Sequence, residues 1–297
     1  MSRPNTELMH HEAANLDRLS NAEILTILHR SQVDAANAVA AAIDSLAQGA
    51  EAMALAVRNG RKLVYAAAGS SGLQGMADGL EITPTFGVPI SQIKILRAGG
   101  LEDLSRPKGE AEDNVAAAQL DASVIKTGDC VICLAASGST AYTITILKLA
   151  QEKGAVTIGI SNNPDTALLS HADIPIHLPT PPEVIAGSTR LGAGTAQKIA
   201  LNMMSSLMGV RLGHVLDGLM VNVIANNEKL YRRAEEIVMQ VTGCGRSTAS
   251  SNLHKANGAV KEAVLLALGA QSYFDAQNLL ERNNQNLRDA LAALQLD

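Results

Sequence analysis

From Ala22 to Arg58, apolar residues recur every three and four positions among strong helix formers, which predicts helix before any strand. The pattern then changes. Short continuous apolar runs appear at 63–68 (LVYAAA), 92–98 (QIKILRA), 129–136 (DCVICLAA), 155–161 (AVTIGIS) and 173–179 (DIPIHLP). Several are followed by small or turn residues and then by helical spacing, as at 140–152. Apolar runs without polar alternation predict strands buried on both faces. Their alternation with helices predicts α/β architecture: a doubly wound, mostly parallel five-stranded sheet with helices before and after it. Such sheets hold ligands at the carboxyl ends of their strands.

A long helical region is expected to resume near Thr195 and to run through Val241, with Met-rich apolar patches. The tail, 247–297, places Val264, Leu265, Leu268, Leu279 and Leu280 at helical intervals and predicts a small bundle. The prolines agree, with none between Pro4 and Pro84 and none after Pro182. The expected organisation is a helical arm over 1–60 packing on the core, an α/β domain over 61–240 and a helical bundle over 241–297.

Composition narrows the function classes. The 297-residue chain is 47% hydrophobic, enough for one large domain and an appendage. Only 2% is aromatic and the net charge is −5, with no long basic run, so neither base stacking nor phosphate-backbone binding is favoured. Nucleic acid and anionic membrane are therefore not expected partners. No apolar stretch reaches the roughly 18–20 residues of a membrane span, and the first residues lack the layout of a signal peptide. Three cysteines cannot build a disulfide framework, so the expected compartment is the cytoplasm.

The third apolar run ends in Ser137-Gly138-Ser139-Thr140 and helical spacing follows. A strand, a small-residue turn and a helix start suit an anion: helix amides point outward, the macrodipole favours negative charge and hydroxyls add donors. The same pattern fits an ordinary helix cap. A second turn, Gly69-Ser70-Ser71-Gly72 after the first run, favours a shared phosphate pocket. Neither turn carries a Walker lysine, and no G-x-G-x-x-G follows either strand, which disfavours an NTPase or a dinucleotide enzyme.

Two carboxylates stand in settings suited to acid–base work. Glu81 lies between an apolar run and Pro84, and Glu112 lies in an acidic trio with Glu110 and Asp113. The alternatives are a loop carboxylate capping an amide for Glu81 and a solvated helix start for Glu112. His10 and His11 fall near a terminus expected to be mobile. Cys130 and Cys133 form a C-x-x-C within a strand, where the two side chains face opposite ways, so neither a redox dithiol nor a zinc site is expected.

Taken in order, "GSSG", "LEITPTFG", "GEAEDN", "AASGST", "GISNNP", "GSTRLGAGTAQK", "NEKL" and "TGC" resemble the N-acetylmuramic acid 6-phosphate etherases along nearly the whole chain. These are lyases built on the sugar isomerase (SIS) domain and are relatives of glucokinase regulatory proteins. The resemblance implies an SIS core with a C-terminal bundle like a ubiquitin-associated domain, a homodimer, and a reaction with no cofactor and no metal. It implies that Glu81 is the acid on the lactyl oxygen and Glu112 the base at C2. It also implies that Ser70, Ser71, Gly72, Ser137, Gly138, Ser139, Thr140, Asn162, Ser188 and Thr189 bind the phosphosugar substrate. A phosphosugar isomerase and a non-catalytic phosphosugar-binding regulator are the alternatives on the same core.

The chain departs from the family pattern at three basic positions, where Leu73, Ser139 and Gly192 replace Arg, Arg and Lys. Arg97, Arg190 and Lys198 are the cations left near the expected anion loops.

Overall fold

The computed structural model describes residues 4–101, 109–225 and 227–295. Helix α1 (Asn21–Ala38) starts at a reciprocal capping box between Ser20 and Glu23, and a 3-10 turn at Val39–Ala42 separates it from α2 (Ile43–Arg58). Strand β1 (Leu63–Ala67) leads into α3 (Gly69–Phe86), then β2 (Ile93–Arg97), α4 (Val115–Asp121), β3 (Cys130–Leu134), α5 (Ala141–Glu152), β4 (Val156–Ser161), α6 (Ala167–His171) and β5 (Ile174–His177). Helix α7 (Gly192–Arg211) follows.

All five strands lie in one parallel sheet of order β2-β1-β3-β4-β5, as the apolar runs predicted. The winding reverses between β1 and β3, so their carboxyl ends mark the switch point where such sheets bind ligands. On one face Val64, Val131 and Cys133 pack with Tyr142, Ile146 and Leu147. On the other, the Tyr65 ring fills notches at Gly75 and Gly79 of α3, where added β-carbons would meet it at 3.5 and 3.1 Å. The Tyr65 hydroxyl donates to Asp78 Oδ2 at 2.7 Å, while Asn202 and Ser205 donate to Oδ1 at 2.7 and 2.8 Å. This buried carboxylate is thereby fully engaged in tying β1, α3 and α7 together.

Two expectations are corrected. The helical region expected from Thr195 through Val241 is interrupted: α7 ends at Arg211, and a hairpin follows, β6 (Val215–Leu216) and β7 (Leu219–Met220). Its turn residues Asp217 and Gly218 both have positive φ, +47° and +80°, as a two-residue Asp-Gly turn requires. The alternative of a loop carboxylate for Glu81 also fails: the residue lies inside α3, which runs on to Phe86. Pro84 has no amide hydrogen to give within the helix, but its fixed φ is helical.

Contacts divide the chain into two compact units, Met1–Leu80 with Ile90–Ser205, and Glu81–Pro89 with Ser206–Asp297. The five-stranded sheet belongs to the first. The second contains α8 (Glu228–Thr242), α9 (Arg246–Lys255), α10 (Val260–Ala267), α11 (Tyr273–Arg282) and α12 (Leu287–Leu294), packed around Val238, Leu253, Val264, Leu265, Leu280 and Leu287. Leu268, expected among the apolar positions of the tail, is an exposed C-cap of α10. Among the described residues no helix is long and apolar enough to cross a membrane.

Candidate active site

The first turn leaves β1 through Ala68 and enters α3 at Gly69, whose φ of +51° is open to glycine at little cost. A β-carbon there would lie 2.7 Å from Glu112 Oε1, so the Glu112 carboxylate rests directly over the head of α3. Glu112 comes from the 3-10 segment Gly109–Asp113, which precedes Asn114, the side-chain cap of α4. Ser71 is buried and Ser70 half-buried in the first turn of α3. Gly72 closes it: Arg97 Cγ lies 3.1 Å from the site of its missing β-carbon.

The second turn leaves β3, the strand next to β1, and both turns exit at the same sheet edge. Gly138 has φ +69°, and a β-carbon would come within 2.4 Å of Thr166, the cap of α6. Leu168 N donates to Gly138 O at 3.1 Å, which pins the turn from behind. Ser137 Oγ accepts from Ser139 N at 3.2 Å and stands 3.5 Å from Thr140 Oγ1. Thr140 is the N-cap of α5 but makes no side-chain cap bond, whereas Ser20, Asn114, Thr166, Ser272 and Asn286 all cap their helices. The cap reading of this turn therefore fails for Thr140, and its hydroxyl stands at an uncapped helix head, as an anion site needs.

Asn162 is largely buried, accepting from Gln197 Nε2 at 3.0 Å and donating to Thr180 Oγ1 at 3.3 Å, yet it lines a cleft together with Ser137 and Ser139. Ser188 and Thr189 are half-buried in the turn before α7, where Gly194 N donates to Thr189 O at 2.9 Å. Gln74 Nε2 lies 3.7 Å from a β-carbon built on Gly194, which sets this segment against the second turn of α3. The head of α7 is already occupied: Glu183 accepts from Gly192 N and Ala193 N, both at 2.9 Å. Burial raises the Glu183 pKa and the two amide bonds oppose it. An anion is thus left the heads of α3 and α5.

The sequence reading missed the N-terminal strap. Thr6 N donates to Asn163 Oδ1 at 3.2 Å, Gly187 N donates to Thr6 O at 3.0 Å, and Asn5 Nδ2 donates to Thr180 O at 2.7 Å. The strap forms one wall of a cleft of about 750 Å³ whose lining includes Asn5, Leu8, Ser137, Ser139, Pro164 and His177. The terminus expected to be mobile is held down, and His10 is buried. His10, His11 and Glu12 offer ligand atoms within 4.8 Å of one another, but Arg30 holds Glu12 Oε1 at 2.6 Å and Glu12 N donates to His10 Nδ1. Burial raises both strand thiols, that of Cys130 to about 12, so neither is reactive near neutral pH. Glu81 is exposed on α3, twelve residues (81 − 69) beyond Gly69.

A parallel sheet of this order, with hydroxyl-rich turns leaving the neighbouring strands β1 and β3, has the architecture of an SIS domain, and the SIS domain family matches residues 101–207. The fold is also that of a phosphoheptose isomerase from Francisella tularensis, with TM-score 0.50 and 16% identity over 65% of this chain and 100% of that one. The N-acetylmuramic acid 6-phosphate etherase of Deinococcus radiodurans is 41% identical over 277 residues, 92% of this chain and 91% of that protein. The protein of the same name from Histophilus somni is 39% identical over 288 residues, 96% and 95%. The chain belongs to the N-acetylmuramic acid 6-phosphate etherase family.

Proposed function

We propose that the protein is a carbon–oxygen lyase that converts N-acetylmuramic acid 6-phosphate to N-acetylglucosamine 6-phosphate and D-lactate in the cytoplasm, without cofactor or metal. Relatives of that name along almost the whole chain support the substrate. The observation that carries the chemistry is the Glu112 carboxylate resting over Gly69, beside the hydroxyls that would receive the phosphate.

In this reading the turns at Ser70–Gly72 and Ser137–Thr140 hold the phosphate of the open-chain sugar. Glu112 takes the C2 proton. The C3–O bond then breaks as Glu81 protonates the departing lactyl oxygen, which leaves as D-lactate. Water adds at C3 of the unsaturated aldehyde, and C2 regains a proton. General acid–base help of this kind is worth about 10²–10⁴-fold per group.

Twelve residues of helix rise about 18 Å, too far for Glu81 and the Glu112 at Gly69 to flank one C2–C3 bond. The acid therefore comes from a second copy, and the working unit is a homodimer. Incubation with N-acetylmuramic acid 6-phosphate should release D-lactate, and Glu81→Gln and Glu112→Gln should abolish release. Aldose–ketose interconversion without lactate would mark an isomerase instead, and binding without turnover a regulator.

A further inference from the structure

Arg97 is the last residue of β2, in register with Ala67 at the end of β1, and is only 5% exposed. Its stem crosses the first turn of α3, with Cγ 3.1 Å and Cδ 3.5 Å from the site of a β-carbon on Gly72. That approach explains why residue 72 has no side chain. Nη1 donates to Gly100 O at 3.2 Å, while the buried Nε has no hydrogen-bond partner among the described residues. A buried guanidinium N–H left unpaired carries its whole desolvation penalty with nothing to offset it. This N–H lies one bond from the Cδ that touches the head of α3, where helix amides already favour an anion.

We infer that Arg97 is a substrate-binding residue whose Nε edge receives an anionic oxygen, from the phosphate or the carboxylate of the sugar acid. It supplies charge at a site where Leu73, one residue beyond Gly72, brings none. The assignment rests on the proposed etherase reading only for the identity of the sugar, because the geometry calls for an acceptor beside a fixed positive charge and not for a particular ligand. A neighbouring carboxylate, Glu112 over Gly69, fits the same picture: the arginine fixes the anionic end of the ligand and leaves the carboxylate to the C2 proton.

The test is titration calorimetry of the full chain and of Arg97→Met and Arg97→Lys with three ligands. These are inorganic phosphate, N-acetylglucosamine 6-phosphate and N-acetylmuramic acid 6-phosphate, the last titrated in a Glu112→Gln background that does not turn it over. Arg97→Met should weaken binding at least about tenfold, the size of one charge-assisted hydrogen bond. A loss for all three ligands assigns the phosphate to Arg97. A loss confined to N-acetylmuramic acid 6-phosphate assigns the lactyl carboxylate. Arg97→Lys keeps the stem and charge but not the Nε–H, so it should show most of the loss with an unchanged melting temperature, and it decides the matter if Arg97→Met fails to fold. Affinities within twofold of the parent for every ligand would overturn the inference. If no D-lactate forms but phosphate binding still falls tenfold, the etherase reading fails and the arginine assignment stands. If lactate forms and no affinity moves, the reverse holds.

Discussion

Glu112 and Gly69 exclude one another's growth: the carboxylate oxygen sits 2.7 Å from the only place a side chain on residue 69 could begin. Position 69 must stay bare for Glu112 to lie over the head of α3. Gly69→Ala should therefore displace the carboxylate and strain a φ of +51°. We expect kcat for lactate release to fall at least about tenfold and stability to fall by about 1–2 kcal/mol, since left-handed backbone is costly for alanine. A variant with unchanged kcat would show that Glu112 does not act from this position.

Gly138 carries two constraints that can be separated. Its φ is +69°, and Thr166 atoms lie at 2.4 Å from an added β-carbon. Gly60 has nearly the same φ, +67°, with nothing within 4 Å. Gly60→Ala should cost about 1 kcal/mol from backbone alone. Gly138→Ala should cost about 1–3 kcal/mol more from overpacking and should raise KM for the phosphosugar. Urea denaturation of the two variants reads the difference, and equal losses would show that Thr166 does not brace the turn.

Lys261 makes stability depend on alkaline pH. Its Nζ donates to Gln285 O at 2.6 Å, and burial lowers its pKa from 10.5 to about 8, with Glu262 opposing. Between these values the unfolded chain binds the proton that the folded chain has lost, so stability rises with pH. From pH 8 to 9.5 the parent should gain on the order of 1–2 kcal/mol relative to Lys261→Met, by urea denaturation. A difference that stays flat over that window would contradict the shift.

Much of the site was legible because its signals are local. Continuous apolar runs ending in Gly, Ser and Thr marked the five strands and both turns, since a strand buried on two faces leaves that trace in any context. Glu112 was legible as a candidate but not as geometry, because its place over Gly69 depends on two segments about forty residues apart meeting at the carboxyl end of the sheet. Thr6 carries no periodic signal at all, and its role rests on Asn163, 157 positions away. Asp217-Gly218 did carry a turn signal, but the helical spacing of Met-rich residues around it outweighed a dipeptide. The sequence left Glu81 between a catalytic and a loop-cap reading because a proline follows three residues on, and α3 tolerates that proline two residues before its own last residue.

Sharing of the site between two copies predicts complementation. Glu81→Gln and Glu112→Gln should each be inactive as homodimers. After mixing and subunit exchange, a heterodimer has one site with both mutations and one with neither. An equimolar mixture should then recover about a quarter of parental activity, half the dimers being mixed with one good site each, as a closed two-fold assembly requires. No recovery despite demonstrated exchange would place both carboxylates in one chain.

The central claim is elimination at the sugar followed by addition of water at C3. It is tested most directly by running the reaction on N-acetylmuramic acid 6-phosphate in ¹⁸O-labelled water and weighing both products. The account predicts one solvent-derived ¹⁸O on C3 of N-acetylglucosamine 6-phosphate and D-lactate with its ether oxygen unlabelled. Label in the lactate hydroxyl, or no lactate at all, would contradict it.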